Sequence, residues 1–311
     1  MKRQLKKWRR QLENLRKFLV YSMAGIIIIK RRIQTAFNVS KTTKAMQMIA
    51  TSKLKRAQSS AISSRPYVDK LMFLTQTLTN KLDEKDRSDY MKEPKDVSET
   101  LLLVFSPDKG LCGGLITNLT KELLNQDKIQ KNIRYITVGK KIENTTARLG
   151  KEIVASFNFG TTLPIFDMVY PMAKIIDDYF LNKKVGNVKI LYSHFLNVFS
   201  QSPRVETILP IKLQESKEDK TEESPFTLFE PNPQEILPSL LRHYLEMVLY
   251  QYLLESYASE QAARMVAMKS ATENAQEIID YLKLEYNKQR QEEITNEILD
   301  IGSGSAAYAY E

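Results

Sequence analysis

Two stretches without a single Gly or Pro, one near each end, constrain this 311-residue chain more than any other feature. The first runs from Ile26 to Arg65, and Pro66 closes it. Apolar or small residues recur there at Ile29, Ile33, Ala36, Val39, Thr43, Met46, Ala50, Leu54 and Ala57, a coiled-coil spacing on a seam that Thr, Ala and Ser keep thin. At a rise of about 1.5 Å per residue such a helix reaches roughly 60 Å. The second stretch runs from Ser239 to Ile301, with Pro238 just ahead of it and Gly302 and Gly304 breaking it. Its stripe is Leu241, Leu245, Val248, Tyr252, Ala262, Val266, Ile278, Leu282, Ile294 and Ile298. A helix of about 95 Å is deeper than a compact domain of this size. Part of it is expected to leave its own domain and to need a partner helix, and a partner protein, to cover its stripe.

The net charge of +9 separates along the chain. Residues 1–22 carry eight Lys or Arg against Glu13, and residues 23–65 carry nine with no acid, so the first 65 residues hold +16 and the remainder −7. Residues 239–301 hold eleven acids and six bases. A basic N-terminal helix and an acidic C-terminal one suit pairing in an antiparallel coiled coil. The apolar segment Phe18 to Ile29 is shorter than the ~20 residues that span a bilayer. Lys30-Arg31-Arg32 follow it without a small-residue cleavage site, so a secretory signal is not expected, and an organelle presequence stays a minor option.

Between the ends the pattern changes to short apolar runs with strand character: Leu101 to Ser106, Ile133 to Gly139, Ile153 to Phe157 and Val188 to Tyr192. Helical segments separate them, notably Gly114 to Leu124 and Ile165 to Leu181. Alternation of this kind predicts a central, Rossmann-like, mostly parallel α/β domain. Gln214 to Pro238, rich in proline and charge, reads as a loop leading into the last helix. The expected division is a basic extension at 1–22, a coiled-coil helix at 23–66, the α/β domain at 67–235 and the second coiled-coil helix at 236–311.

Chemistry finds little foothold. Ser106-Pro-Asp-Lys-Gly-Leu-Cys-Gly-Gly-Leu115 sits where a phosphate loop would, but lacks both glycine-rich nucleotide spacings and reads as a tight strand-to-helix turn with a buried thiol. His194 and His243 have no Cys or carboxylate at ligand spacing, so neither a metal nor a cofactor is expected. Cys112 is the only cysteine, which excludes an intrachain disulfide and suits a reducing compartment. No nucleophile and base stand together, so the chain is not expected to be catalytic alone. The basic helix carries one Phe and no aromatic interleaving to stack bases.

Three segments carry a resemblance. Arg32 to Gln58, with Thr-Lys-Ala-Met-Gln-Met-Ile-Ala-Thr-Ser-Lys at Thr43 to Lys53, is similar to the N-terminal signature of the gamma subunits of F-type ATP synthases. So are Ser259 to Ala275, followed by Tyr286 to Ile298, and the Asp108-Lys-Gly-Leu-Cys-Gly-Gly-Leu turn with Thr117-Asn118. Their order and separation fit as well, so the resemblance covers nearly all of residues 23–307. The resemblance implies a non-catalytic rotor: an antiparallel coiled coil inside a ring of three alpha and three beta subunits, and an α/β domain resting with the epsilon subunit on the membrane ring of c subunits. It implies a site peripheral to the cytoplasmic side of the inner membrane, with proton flow turning the shaft.

Carried over residue by residue, the resemblance places Met46, Lys53, Arg264, Gln291, Thr295, Glu297 and Asp300 at contacts with the ring or in coupling, Asp300 standing where Glu is usual. Met23 falls where family chains often begin, so residues 1–22 read as an extension, with a start assigned upstream of Met23 as the expected explanation. Tyr308 to Glu311 extend the other end. The competing reading is a free-standing basic coiled-coil protein that binds nucleic acid or anionic lipid.

Overall fold

The computed structural model describes the backbone at 2–80, 82, 88–94, 97–130, 132–212 and 232–308, and side chains there from 25 to 301 except 300. Among the described residues five α-helices and five strands follow in chain order: α1 (Lys2–Asn80), β1 (Thr100–Phe105), α2 (Leu115–Ile129), β2 (Ile133–Val138), α3 (Lys140–Arg148), β3 (Ile153–Phe157), α4 (Tyr170–Phe180), β4 (Asn187–Phe195), β5 (Gln201–Leu209) and α5 (Pro233–Tyr308). The chain divides into two compact units: Met1–Met46 with Met268–Glu311, the coil unit, and Gln47–Ala267, the α/β unit.

In the α/β unit the strand order is β3-β2-β1-β4-β5. The first four strands are parallel and β5 runs antiparallel along β4. All six residues of β1 are buried, as a strand covered on both faces requires. On one face Leu101, Leu103, Phe105, Ile136, Val138, Val188 and Ile190 pack against Met172, Ala173, Ile176 and Phe180 of α4 and a leucine stripe of α5, Leu237, Leu241, Leu245, Leu249 and Leu253. On the other, Leu102, Val104, Tyr135 and Leu191 meet Leu115, Leu119 and Leu123 of α2 and Ile142 of α3.

Helix α5 starts earlier than the sequence suggests. Asn232 accepts from the Glu235 amide at 2.9 Å, its own amide donates to the Glu235 carboxylate at 2.7 Å, and Pro233 takes the first helical position. Pro238 therefore lies inside the helix. Most of the expected loop at 214–238 lies outside the described residues, and its last six residues are helical. At the other end Gly302 and Gly304 do not stop the helix, which runs to Tyr308. Likewise α1 continues through Pro66 to Asn80. The carbonyl of Ile62 is the one that Pro66 deprives of a donor, and both residues are exposed, so water can serve it.

In the coil unit α1 and α5 run antiparallel. Gly25 lies against Gln289, and Thr43 and Thr272 share a hydroxyl hydrogen bond of 2.7 Å. The buried and half-buried positions alternate three and four apart: Ile29, Ile33, Ala36, Ser40 and Thr43 on α1, and Met268, Thr272, Ala275, Ile279, Leu282, Tyr286, Gln289 and Glu293 on α5. This heptad phase corrects the expected seam. Val39 and Met46 on α1, and Ile278, Ile294 and Ile298 on α5, face outward with 37 to 63% exposure, because a strict 3-4 alternation from Ile29 and from Met268 passes one residue to the side of the first four and two residues from Ile298. The opposite charges do not pair the helices either: among the described residues of this unit the ion pairs, Lys269 with Glu273 and Lys283 with Asp280, stay within α5.

Candidate functional site

The parallel order reverses between β1 and β4, and the carboxyl ends of those strands are where a sheet of this kind ordinarily opens a ligand crevice. Here α5 fills it. Seven successive residues, Ser256 to Ala262, are buried, so the helix is enclosed on every side at this level. A helix enclosed in that way must satisfy each polar side chain it brings.

Most of the bonds it makes go to the end of β4, to the loop after β3 and to α5 itself. The Ser259 hydroxyl donates to the Ser193 carbonyl of β4 at 2.7 Å, and the Glu255 carboxylate accepts from the Phe195 amide at 3.1 Å and pairs with the His194 ring. Tyr250 donates to the Pro164 carbonyl at 3.4 Å and Tyr257 to that of Thr161 at 3.1 Å. Glu260 accepts from Arg264 at 2.6 Å and from Gln261 at 3.2 Å. Burial pushes the Glu260 carboxyl above the ordinary range, and the Arg264 guanidinium partly offsets this.

The loops around the segment are fixed by backbone geometry. Gly139 has φ of 106°, and a Cβ on it would lie 1.9 Å from the Ser106 carbonyl oxygen, so only glycine lets the ends of β1 and β2 close up. Asp108 accepts from the amides of Lys140 at 2.9 Å and Gly160 at 2.6 Å, tying the turn after β1 to the start of α3 and the loop after β3. What remains of the crevice is a cavity of about 40 Å³ bordered by Asp108, Tyr257 and Glu260. It has room for water, and its two carboxyl groups oppose a phosphate; nucleotide-sized pockets run to several hundred Å³.

The seven residues carried over from the resemblance fall into separate groups. Lys53 and Arg264 meet in the α/β unit, and both point inward: Lys53 donates to the Thr161 carbonyl at 2.5 Å, and Arg264 to the carbonyls of Lys109 and Gly110 at 3.2 and 3.3 Å. Met46 lies in the coil unit and faces solvent. Gln291, Thr295 and Glu297 are exposed on α5 of that unit, with the Thr295 hydroxyl donating to the Gln291 carbonyl at 2.8 Å. The Asp300 side chain lies outside the described residues. Sequence reading missed the roles of Glu255, Tyr257 and Ser259; Ser259 opens one of the resembling segments, and the other two were signalled only as polar residues inside a helix that had to be buried. Cys112 is buried and burial pushes its thiol up, so it is a poor nucleophile. His243 is held by Tyr67 at 2.8 Å and lies 3.5 Å from Glu246. Among the described residues no group of His, Cys, Asp and Glu could hold a metal ion.

Comparison with known proteins decides the family. The ATP synthase family model matches residues 26–308. The ATP synthase gamma chain of Glaesserella parasuis is 40% identical over 294 residues, covering 92% of this chain and all of the relative. This chain belongs to the ATP synthase gamma family. The gamma chain of Dehalococcoides mccartyi is 38% identical over 291 residues, with the same coverage. In fold, the gamma family chain described here matches a chain of the Euglena gracilis mitochondrial ATP synthase in its OSCP/F1/c-ring assembly with a TM-score of 0.64 at 18% identity, covering 92% of this chain and 95% of that one. It also matches a chain of the central stalk and c-ring of the Tetrahymena thermophila enzyme, with a TM-score of 0.55 at 23% identity, covering 74% and 99%. No helix among the described residues is long and apolar enough to cross a membrane.

Proposed function

We propose that this chain is the non-catalytic central-stalk rotor of an F-type ATP synthase. Its coil unit turns within a ring of three alpha and three beta subunits, where the nucleotide chemistry takes place. Its α/β unit joins the epsilon subunit and the membrane c-ring, which places it peripherally on the cytoplasmic face of the inner membrane. Ion flow turns the ring, and the coil presents successive faces to the beta sites.

The observation that carries this reading is the coil's outer surface. Family membership names the machine, and the seam explains the surface: it is narrow and mixes Ile29, Ile33, Met268, Ile279 and Leu282 with small and polar residues, leaving Ile278, Tyr281, Leu284, Ile294, Ile298 and Leu299 on α5 exposed, along with Phe37, Val39 and Met46 on α1. A monomer rarely displays so much apolar side chain along a helix pair without a partner. Among the described residues the ion pairs of this unit stay within α5, so the basic side chains of α1 and the acidic ones of α5 are presented to the same partner. Met46, Gln291, Thr295 and Glu297 are the contact residues on this reading, and Asp300 belongs with them. Lys53 and Arg264 serve coupling from inside the α/β unit.

The test is copurification followed by pumping. The chain should hold alpha and beta subunits through a high-salt wash, whereas attachment through phosphates would fade steeply with salt. Gln291→Ala should lower ATP-driven proton pumping while leaving the yield of assembled complex unchanged. Loss of the ring at high salt, or full pumping by Gln291→Ala together with Thr295→Ala, would count against the assignment of these residues.

A further inference from the structure

One backbone carbonyl in the α/β unit is gripped by both long helices. Lys53 of α1 donates to the Thr161 oxygen at 2.5 Å, and Tyr257 of α5 donates to the same oxygen at 3.1 Å. A carbonyl has two lone pairs, and here each is used by a different helix. The Lys53 bond is charge-assisted, which makes it the stronger of the two. Around it, Leu54 and Ala57 of α1 close on Tyr257, Ala258 and Ala262 of α5 with almost no exposure, so the two helices cannot slide apart at this level. The loop that carries Thr161 is itself anchored, since the Gly160 amide donates to Asp108 and the Pro164 carbonyl accepts from Tyr250.

Resting on the rotor reading, we propose that Lys53, Tyr257 and the Thr161 carbonyl form the joint that locks α1 and α5 to the α/β unit against twisting, and so set the torsional stiffness with which the unit drives its helices. Apolar packing resists separation but is non-directional; a hydrogen bond to a fixed carbonyl resists rotation of each helix about its own axis. Lys53 is thereby a positioning residue acting through the Thr161 loop and not a contact to the ring. Burial and the neighbouring Arg264 lower the Lys53 pKa, in keeping with an ammonium drawn out of water to make this bond.

The experiment uses the complete complex, with a gold particle on the α/β unit and the ring arrested by a bound nucleotide analogue. The width of the particle's thermal angular fluctuation reports stiffness. Lys53→Met should broaden the variance by about twofold and Tyr257→Phe by less, since the charge-assisted Lys53 bond is the stronger of the two, and both should lower the protons pumped per ATP hydrolysed. Lys53→Arg, which keeps a charged donor, should restore most of both. Ser64→Ala, which removes a bond of 2.8 Å between α1 and Gln251 of α5 without touching the loop, should leave the variance as in the wild type. If Lys53→Met does not assemble, Tyr257→Phe carries the test. Unchanged variance in the assembled variants, or equal broadening by Ser64→Ala, overturns the joint. Failure of the wild-type chain to assemble or rotate strikes the rotor reading instead.

Discussion

In the α/β unit α5 buries Leu237, Leu241, Leu245, Leu249 and Leu253 against a sheet, whereas in the coil unit the same helix closes on α1 through Thr272, Ala275 and Ile279. The first stripe steps by four residues and faces a broad surface; the second alternates three and four and faces one helix. Each fully buried leucine is worth roughly 1.5–3 kcal/mol. A Thr pair sharing a hydrogen bond contributes about 0.5–1.5 kcal/mol net. One helix thus takes most of its stability from the α/β unit and, in the coil unit, leaves Ile278, Tyr281, Leu284, Ile294, Ile298 and Leu299 on the outside. Stability and contact surface are divided along its length.

Mutations can break that division, starting with the largest expected effect. Leu249→Ala, at a fully buried position, should destabilise the α/β unit by about 2–5 kcal/mol in urea unfolding. Ser259→Ala leaves the Ser193 carbonyl without its donor and should cost about 1–3 kcal/mol by the same measurement, with the fold kept. Thr43→Ala in the coil should cost only about 0.5–1.5 kcal/mol. A cost at Thr43 equal to that at Leu249 would erase the contrast.

The smallest signal lies in pH. Glu260 has its pKa raised in the folded chain, so the folded state binds the proton more tightly than the unfolded one. Its contribution to stability is therefore greatest at acid pH and is lost as pH rises from the ordinary glutamate range through the raised value. Glu260→Gln should flatten that part of the stability profile. An unchanged slope in this variant would place the pH dependence elsewhere.

The long helices were legible because Gly and Pro were absent over forty and sixty residues, and β1 to β4 because each is a short run dominated by β-branched, aromatic and other apolar residues. Strand β5 was not. Its sequence, Gln201-Ser-Pro-Arg-Val-Glu-Thr-Ile-Leu209, carries a proline and three charged or amide side chains, which the edge of a sheet tolerates and an interior strand does not. Helix α3 was missed because it is short and polar, with only Ile142 and Thr146 buried. The seam of the coil was misplaced by one residue at Val39 and Met46 because apolar character was followed where phase decides. The crevice-filling role of Ser256 to Ala262 was hidden for a different reason. Sequence separation says nothing about which helix crosses the carboxyl ends of a sheet, and the strand that creates the switch point lies more than sixty residues upstream.

Rotation is the most direct test of the account. In a complex of this chain with alpha and beta subunits fixed to a surface, a particle attached to the α/β unit should turn continuously in one direction while ATP is hydrolysed. Steady hydrolysis by an assembled complex in which the particle stays still would contradict it.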